Sequence, residues 1–203
     1  MTSKIESALR TAGGRLPDGG EAPSAVAERA AADGLLDVAY ATVDSPLGPL
    51  MVAGTPEGLV RLSYSQFRDD DAVLADLARR VSPRVLEAPA RLDGVRRELD
   101  EYFEGRRTGF DLPIDWTLTR GFSTDVLRAT AAVGFGHTTT YTEVAGAAGR
   151  PRAVRAAGNS LGSNPMPIVV PCHRVLRSGG GLGGYTGGLE RKEFLLRLEG
   201  VLV

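Results

Sequence analysis

From Val38 the chain breaks into three short runs rich in strand-forming residues, "VAYATV" (38–43), "PLMVAG" (49–54) and "GLVRLSYS" (58–65), parted only by "DSPLG" and "TPE". Connections this short allow neighbouring strands to pair only as hairpins, so the spacing predicts an antiparallel meander. "DDDAVLADLARRV" (69–81) opens on aspartates suited to a helix N-terminus and then sets Val73, Leu74, Leu77 and Val81 on one face. "PARLDGVRRELDEYFEGRR" (89–107) repeats the device with Leu92, Val95, Leu99 and Tyr102 before Gly105 stops it. Residues 38–115 are therefore expected to form a small sheet covered by helices, ending near "FDLPIDW".

The flanking segments differ in character. Residues 1–37 are rich in Ala, Gly, Asp, Glu and Pro, and "GGRLPDGGEAPS" (13–24) reads as a joint between two weak Ala-rich helical patches; a flexible extension without chemistry is expected there. Residues 116–203 read as helical and loop-rich. Phe122, Val126, Ala129 and Val133 form one stripe, and two short helices around "GRP" (149–151) suggest a helix-turn-helix with Pro151 in the first turn of its second helix. That helix places Val154, Ala157, Gly158 and Leu161 on one face and Arg152, Arg155, Ala156 and Asn159 on the other. The second face is basic and hydrogen-bonding, as a groove-facing helix needs. Ala153, Ala156, Gly158 and Ser160 are small enough for the close approach a minor groove demands, although an ordinary helical hairpin would show the same spacing.

Charge and cysteine usage narrow the classes. Residues 1–115 carry 14 Lys/Arg against 20 Asp/Glu, net −6, and residues 116–203 carry 10 against 5, net +5. The overall charge of −1 argues against a general polyanion binder, but the basic back half is where a phosphate backbone would be met. Cys172 is the one cysteine, which excludes an internal disulfide framework and a multi-thiolate zinc site; with only His137 and His173 besides, no metal and no cofactor are expected. No run of about 18 apolar residues and no secretion signal is present, so neither a membrane span nor export is indicated, and the reducing cytoplasm is the expected location.

Cys172 sits in "VVPCHRVL" (169–176) beside His173. A lone cysteine after an apolar run is often an inert small hydrophobe, but an adjacent imidazole is the base that would make the thiolate needed for attack. The apolar run reads as a strand ending near "CHRVL", with His173 reaching the thiol through a water. Seven glycines within 178–188 surround Tyr185 and Thr186; such a loop lets backbone groups approach a flat ligand while an aromatic stacks on it, or is simply a flexible surface loop. Glu199 stands at a helix C-terminus, where the macrodipole disfavours a carboxylate, so a special partner is expected, and His173 is the candidate.

"PMPIVVPCHRV" (165–175), "GGYTGGLERKEFLLRLEG" (183–200), "TTTYTEVA" (138–145) and "GRPRAVRAAGNSLGSNP" (149–165) together resemble the O-6-alkylguanine-DNA alkyltransferases over residues 38–200, most closely from Phe135 onward. The resemblance implies an α+β fold: a ribonuclease-H-like domain with a small antiparallel sheet, then a winged-helix-like helical domain with a helix-turn-helix. It implies irreversible, single-turnover transfer of an alkyl group from O-6-alkylguanine, and less well O-4-alkylthymine, in double-stranded DNA. Cys172 would be the acceptor, activated through water by His173, which Glu199 orients; Asn164 would brace the turn beside the recognition helix. Arg155 would enter the duplex in place of an extruded base, and Tyr141 would help to turn the nucleotide. Arg152, Ala156 and Asn159 would contact DNA, probing the minor groove as a monomer. Val175, Tyr185, Thr186 and Pro167 would form the substrate pocket, with the main-chain carbonyls of Cys172 and Val175 accepting from the base.

The chain departs from the family pattern at "FSTDVL" (122–127), which lacks a Gln and a Trp usual there, and at His137, often acidic in relatives. Residues 1–37 match nothing in the family and lack the cysteines of a phosphotriester-sensing domain. Two other functions fit the residues alone: a thiol hydrolase that turns over repeatedly, and a DNA-binding module without chemistry.

Overall fold

The computed structural model describes residues 32–66 and 69–202, with Ala27, Arg29 and Ala30 before them. The expected joint at 13–24 lies outside the described residues. Strands β1 (Val38–Val43), β2 (Leu50–Thr55) and β3 (Gly58–Tyr64) form the expected meander, with Ala41 opposite Val52 and Val52 opposite Leu62. The β1–β2 turn closes through the Gly48 N–H on the Ser45 carbonyl, 3.0 Å, with Gly48 at φ +90°, a conformation that side chains oppose. A fourth strand, β4 (Val85–Glu87), runs parallel to β1, so the sheet is mixed in the order β3-β2-β1-β4, not purely antiparallel. Three residues are too few to show an alternating pattern, which is why the sequence gives no sign of β4.

Both faces of this sheet are covered. Val38, Met51, Ala53 and Val60 pack against Val73 and Leu77 of helix α1 (Asp70–Arg80), which Asp69 caps by accepting from the Asp71 N–H at 3.2 Å. Ala53 pairs with Arg61 and Gly54 with Leu59, leaving Val60 unpaired; this bulge turns both Val60 and Arg61 toward α1, where Arg61 meets Asp76 at 3.4 Å. On the opposite face Leu50, Val52, Leu59, Leu62 and Tyr64 meet Val95, Leu99 and Tyr102 of helix α2 (Asp93–Phe103), which follows a 3₁₀ turn at Pro89–Leu92. The same cluster continues into Met166, Ile168, Val170 and Leu195, so one core joins the two halves of the molecule. The Leu62 N–H donates to the Pro165 carbonyl at 2.8 Å across that junction.

The second half contains helices α3 (Phe122–Ala131), α4 (Tyr141–Ala147), α5 (Val154–Gly162) and α6 (Leu189–Leu198). Thr140 and Glu143 form a reciprocal capping box that fixes where α4 begins, and hence where Tyr141 points. α4 and α5 are the expected helix-turn-helix, but Pro151 and Arg152 lie in the connecting turn. There the Ala153 N–H reaches back to the Arg150 carbonyl at 2.9 Å, and α5 starts only at Val154. β5 (Thr139–Thr140) and β6 (Val175–Leu176) pair in parallel over two residues.

The apolar run before Cys172 is not the strand that was expected. Pro165, Pro167 and Pro171 remove ladder donors, Ile168 adopts φ +75°, and the Val170 N–H turns back onto the Met166 carbonyl at 2.8 Å. Cys172–Arg174 then make a 3₁₀ turn. A strand would have thrown neighbouring side chains to opposite faces; this turn sends Cys172 toward the helix pair and His173 toward α6.

Candidate active site

Cys172 lies at the edge of a cavity of about 310 Å³ lined by Tyr141, Gly158, Leu161, Gly162, Tyr185 and Thr186. The helix-turn-helix thus contributes one side and the glycine-rich loop the other. Among Asn164, Val170 and Met166 a small network fixes the thiol: Asn164 donates from Nδ2 to the Val170 carbonyl at 2.8 Å and to Cys172 Sγ at 3.2 Å, and accepts from the Met166 N–H at 3.0 Å. Burial pushes the Cys172 thiol up to about 11, against the opposing pull of Asn164 and the Lys192 ammonium. The thiol is therefore protonated at neutral pH unless a base takes its proton.

His173 is fully buried, and its Nε2 lies 2.9 Å from Glu199 Oε1. Nδ1 is buried without a hydrogen-bond partner among the described residues. Glu199 also accepts from Tyr102 Oη at 2.7 Å, and from Arg174 through Nε at 2.9 Å and Nη2 at 2.8 Å. Burial opposes ionisation of Glu199, but the bonds from His173, Arg174 and Tyr102 outweigh it and hold the carboxyl at about 2. Burial moves His173 down, keeping the ring neutral despite that carboxylate. A neutral imidazole with one nitrogen fixed by a carboxylate and the other unsatisfied is chemically a base awaiting a proton.

Tyr141 lies over Gly158, and its hydroxyl is 3.4 Å from the Gly184 carbonyl. Thr186 Oγ1 donates to the Gly162 carbonyl at 2.8 Å, tying the loop to the end of α5. Arg155, Ala156 and Asn159 are exposed on α5, and Arg152 is exposed in the turn before it. Ser160, expected among the small residues of approach, is instead buried and bonded to the Ala156 carbonyl.

Two expected pocket residues lie elsewhere. Pro167 lines a separate cavity, and Val175 is not part of the lining around Cys172. The 3₁₀ turn engages one lone pair of the Cys172 carbonyl with the Val175 N–H, and Lys192 Nζ takes the Val175 carbonyl at 2.6 Å. Lys192 is buried, also donates to the Leu182 carbonyl, and is lowered by burial to about 8. Sequence reasoning passed over Lys192, Arg174 and Tyr102: Tyr102 read as one of a core stripe, and only its hydroxyl hinted at more.

Among the described residues no group of three His, Cys, Asp or Glu side chains is placed to hold a metal ion, and no helix is long and apolar enough to cross a membrane.

A small sheet domain joined through a common core to a helix-turn-helix domain with a buried thiol defines a two-part class. Two family models describe it: the ribonuclease-like domain of 6-O-methylguanine DNA methyltransferase matches residues 38–116, and the DNA-binding domain of the same family matches 121–201. The methylated-DNA–protein-cysteine methyltransferase of Methanosarcina barkeri is 38% identical over 160 residues, 79% of this chain and 96% of that protein. That of Mycobacterium tuberculosis is 37% identical over 160 residues, 79% of this chain and 91% of that protein. The crystal structure of the M. tuberculosis O6-methylguanine methyltransferase superposes with a TM-score of 0.68 over 80% of this chain and 92% of that one, at 37% identity. A structure of the M. tuberculosis protein in complex with DNA gives 0.67 over 79% and 92%, also at 37% identity. The chain belongs to the methylated-DNA–protein-cysteine methyltransferase family.

Proposed function

We propose that this protein repairs DNA by moving an alkyl group from the O-6 position of guanine in double-stranded DNA onto Cys172, once per molecule. The observation that carries the reading is a protonated, buried thiol on a cavity between the helix-turn-helix and the glycine-rich loop, beside a neutral imidazole with one unsatisfied nitrogen.

A stacked base cannot present its alkyl carbon to a side chain, so the nucleotide must be extruded at a cost of a few kcal/mol. α5 approaches the minor groove with Arg155, Ala156 and Asn159, assisted by Arg152 from the preceding turn, and Arg155 fills the gap the base leaves. Tyr141 and Tyr185 bracket the extruded guanine. His173 Nδ1 takes the thiol proton through a water, while Glu199 fixes the ring and favours the imidazolium. Sulfur attacks the alkyl carbon in line, an S–C bond forms and the C–O bond breaks. The electron pair passes to guanine, which takes one proton at its ring nitrogen through Tyr141, balancing the thiol proton now on His173, while the Thr186 main-chain N–H steadies the freed oxygen. The product is a thioether, which no thiol exchanges away. The protein works as a monomer in the reducing cytoplasm, where its single thiol stays free.

Intact-mass measurement after incubation with a duplex containing O-6-methylguanine tests this. One added methylene mass per protein, mapped to Cys172, is expected, with repair stopping at one equivalent. Repair beyond one equivalent, or an unmodified Cys172, would overturn it.

A further inference from the structure

We propose that Tyr64, from the N-terminal sheet, determines the size of alkyl group accepted at Cys172, because it pins Tyr185 as a partition between the Cys172 cavity and a second one. The proposal rests on the reading of Cys172 as the alkyl acceptor.

The second cavity, of about 250 Å³, adjoins the first at Thr186 and is lined by Leu62, Ser63, Tyr64, Asn164 and Pro167, among others. Thr186 belongs to both cavities. Asn164, whose amide touches the thiol, faces the second. Tyr185 walls the first and Tyr64 the second, and their hydroxyls meet at 2.8 Å with the rings edge-on. That hydrogen bond joins the walls of the two spaces.

The loop cannot hold Tyr185 by itself. Residues 178–188 include seven glycines, which leave its backbone many conformations of similar energy. Lys192 and the Gly162 carbonyl anchor its backbone at Leu182 and its side chain at Thr186, while the Tyr185 hydroxyl finds its hydrogen-bond partner in the N-terminal half. Gly187 is packed so tightly between the two rings that a Cβ there would lie 2.6 Å from Tyr64 and 2.9 Å from Tyr185. The Arg191 guanidinium stacks 5.1 Å from the Tyr64 ring centre while Arg191 donates to the Leu47 and Gly187 carbonyls, both at 3.1 Å. Tyr64 itself is only 4% exposed, so its hydroxyl has been buried against the loop rather than left to water. With the bond intact, Tyr185 keeps its place in the wall of the Cys172 cavity; with it broken, the ring is free to swing and give up part of that wall toward the second cavity, which already shares Thr186 with the first. A methyl group needs none of the added room, whereas a bulky substituent does.

The test compares alkyl transfer from duplexes carrying O-6-methylguanine and O-6-benzylguanine, read as the mass of the Cys172 adduct over time, in the full chain and in Tyr64→Phe, Tyr185→Phe and the double variant. Tyr64→Phe is expected to raise the benzyl-to-methyl rate ratio about fivefold, the equivalent of one net hydrogen bond of about 1 kcal/mol. Tyr185→Phe should do the same, and the double variant no more than either, because both changes delete one bond. An unchanged ratio in the single variants, or effects that multiply in the double, would overturn the proposal while methyl transfer to Cys172 still stands. Failure of the unaltered protein to label at Cys172 with either duplex would instead bring down the acceptor reading beneath it.

Discussion

Glu199→Gln removes the charge on which the buried network depends, and its cost follows from the structure. The carboxylate accepts from Tyr102, His173 and twice from Arg174, and its pKa of about 2 against an ordinary 4.5 measures how strongly the folded protein prefers it ionised. At about 1.36 kcal/mol per pH unit that preference is about 3 kcal/mol. Because the folded value lies below the unfolded one, this stability is fully present above pH 4.5 and drains away as pH falls toward 2. A glutamine offers one carbonyl to donors that now fill both oxygens, points an NH₂ at one of them, and leaves Arg174 buried beside Glu199's site without its counter-charge. Breaking a buried pair from one side costs about 3–5 kcal/mol. Urea unfolding followed by fluorescence of the single tryptophan, Trp116, should therefore show the variant about 3 kcal/mol less stable at pH 7. The gap should narrow steadily below pH 4.5. A variant as stable as the parent at pH 7, or a deficit that does not shrink in acid, would refute the account of Glu199 as an ionised keystone.

Tyr102→Phe takes one donor from Glu199 Oε1, so the carboxylate holds the imidazolium of His173 more strongly; the acidic limb of the transfer-rate profile should move to higher pH, and an unmoved limb would contradict the coupling. Lys192→Met deletes the cation that opposes the rise of the Cys172 thiol, so iodoacetamide labelling between pH 6 and about 7.5, below the value of about 8 at which Lys192 itself loses its charge, should slow several-fold; equal or faster labelling would count against it. Arg155→Ala should weaken binding to damaged duplex by about 1–3 kcal/mol and lower the slope of log affinity against log salt by about one, as gel shifts at several salt concentrations would reveal. Gly183→Ala combines φ +71° with a Cβ 2.7 Å from the Tyr141 hydroxyl; alkyl transfer should fall by about tenfold or more, and a normal rate would show that Tyr141 need not stay where it is.

What could be read from the chain and what could not divide along one physical line. Periodicity is local, so Val73 and Leu77 on α1, the stripe ending at Tyr102 on α2 and the three-stranded meander are visible as spacing. β4 is too short to have a period, and the prolines around Ile168 turn an apparently strand-like run into a buried turn. The pairing of Glu199 with His173 was open to inference because a carboxylate at a helix C-terminus is costly alone. Tyr102 and Arg174, which share that carboxylate, gave no such sign: one is a core aromatic by its spacing, the other a basic residue next to a histidine. Pro167 and Val175 went the other way, since a motif places residues near one another in sequence without saying which side of a wall each will face.

A thiol that is used once has different needs from one that is regenerated. A thiol of pKa about 11 is ionised to only about one part in ten thousand at pH 7, so oxidants and stray electrophiles find almost no thiolate to consume. A cysteine lowered into the neutral range, as suits a thiol that is regenerated every cycle, would be wasteful here. On the proposed reading the proton leaves only when an alkylated base is seated, and the network beneath Cys172 suits that: His173 is neutral with Nδ1 unsatisfied, and ionised Glu199 stands against the ring to stabilise the imidazolium as it forms. Lowering the resting pKa by a substitution that brings a cation nearer should speed iodoacetamide labelling. It should do so without a matching gain in transfer from DNA, where the base has already overcome the cost of ionisation. A parallel rise in both rates would mean that the free thiolate, and not its formation in the occupied site, sets the pace.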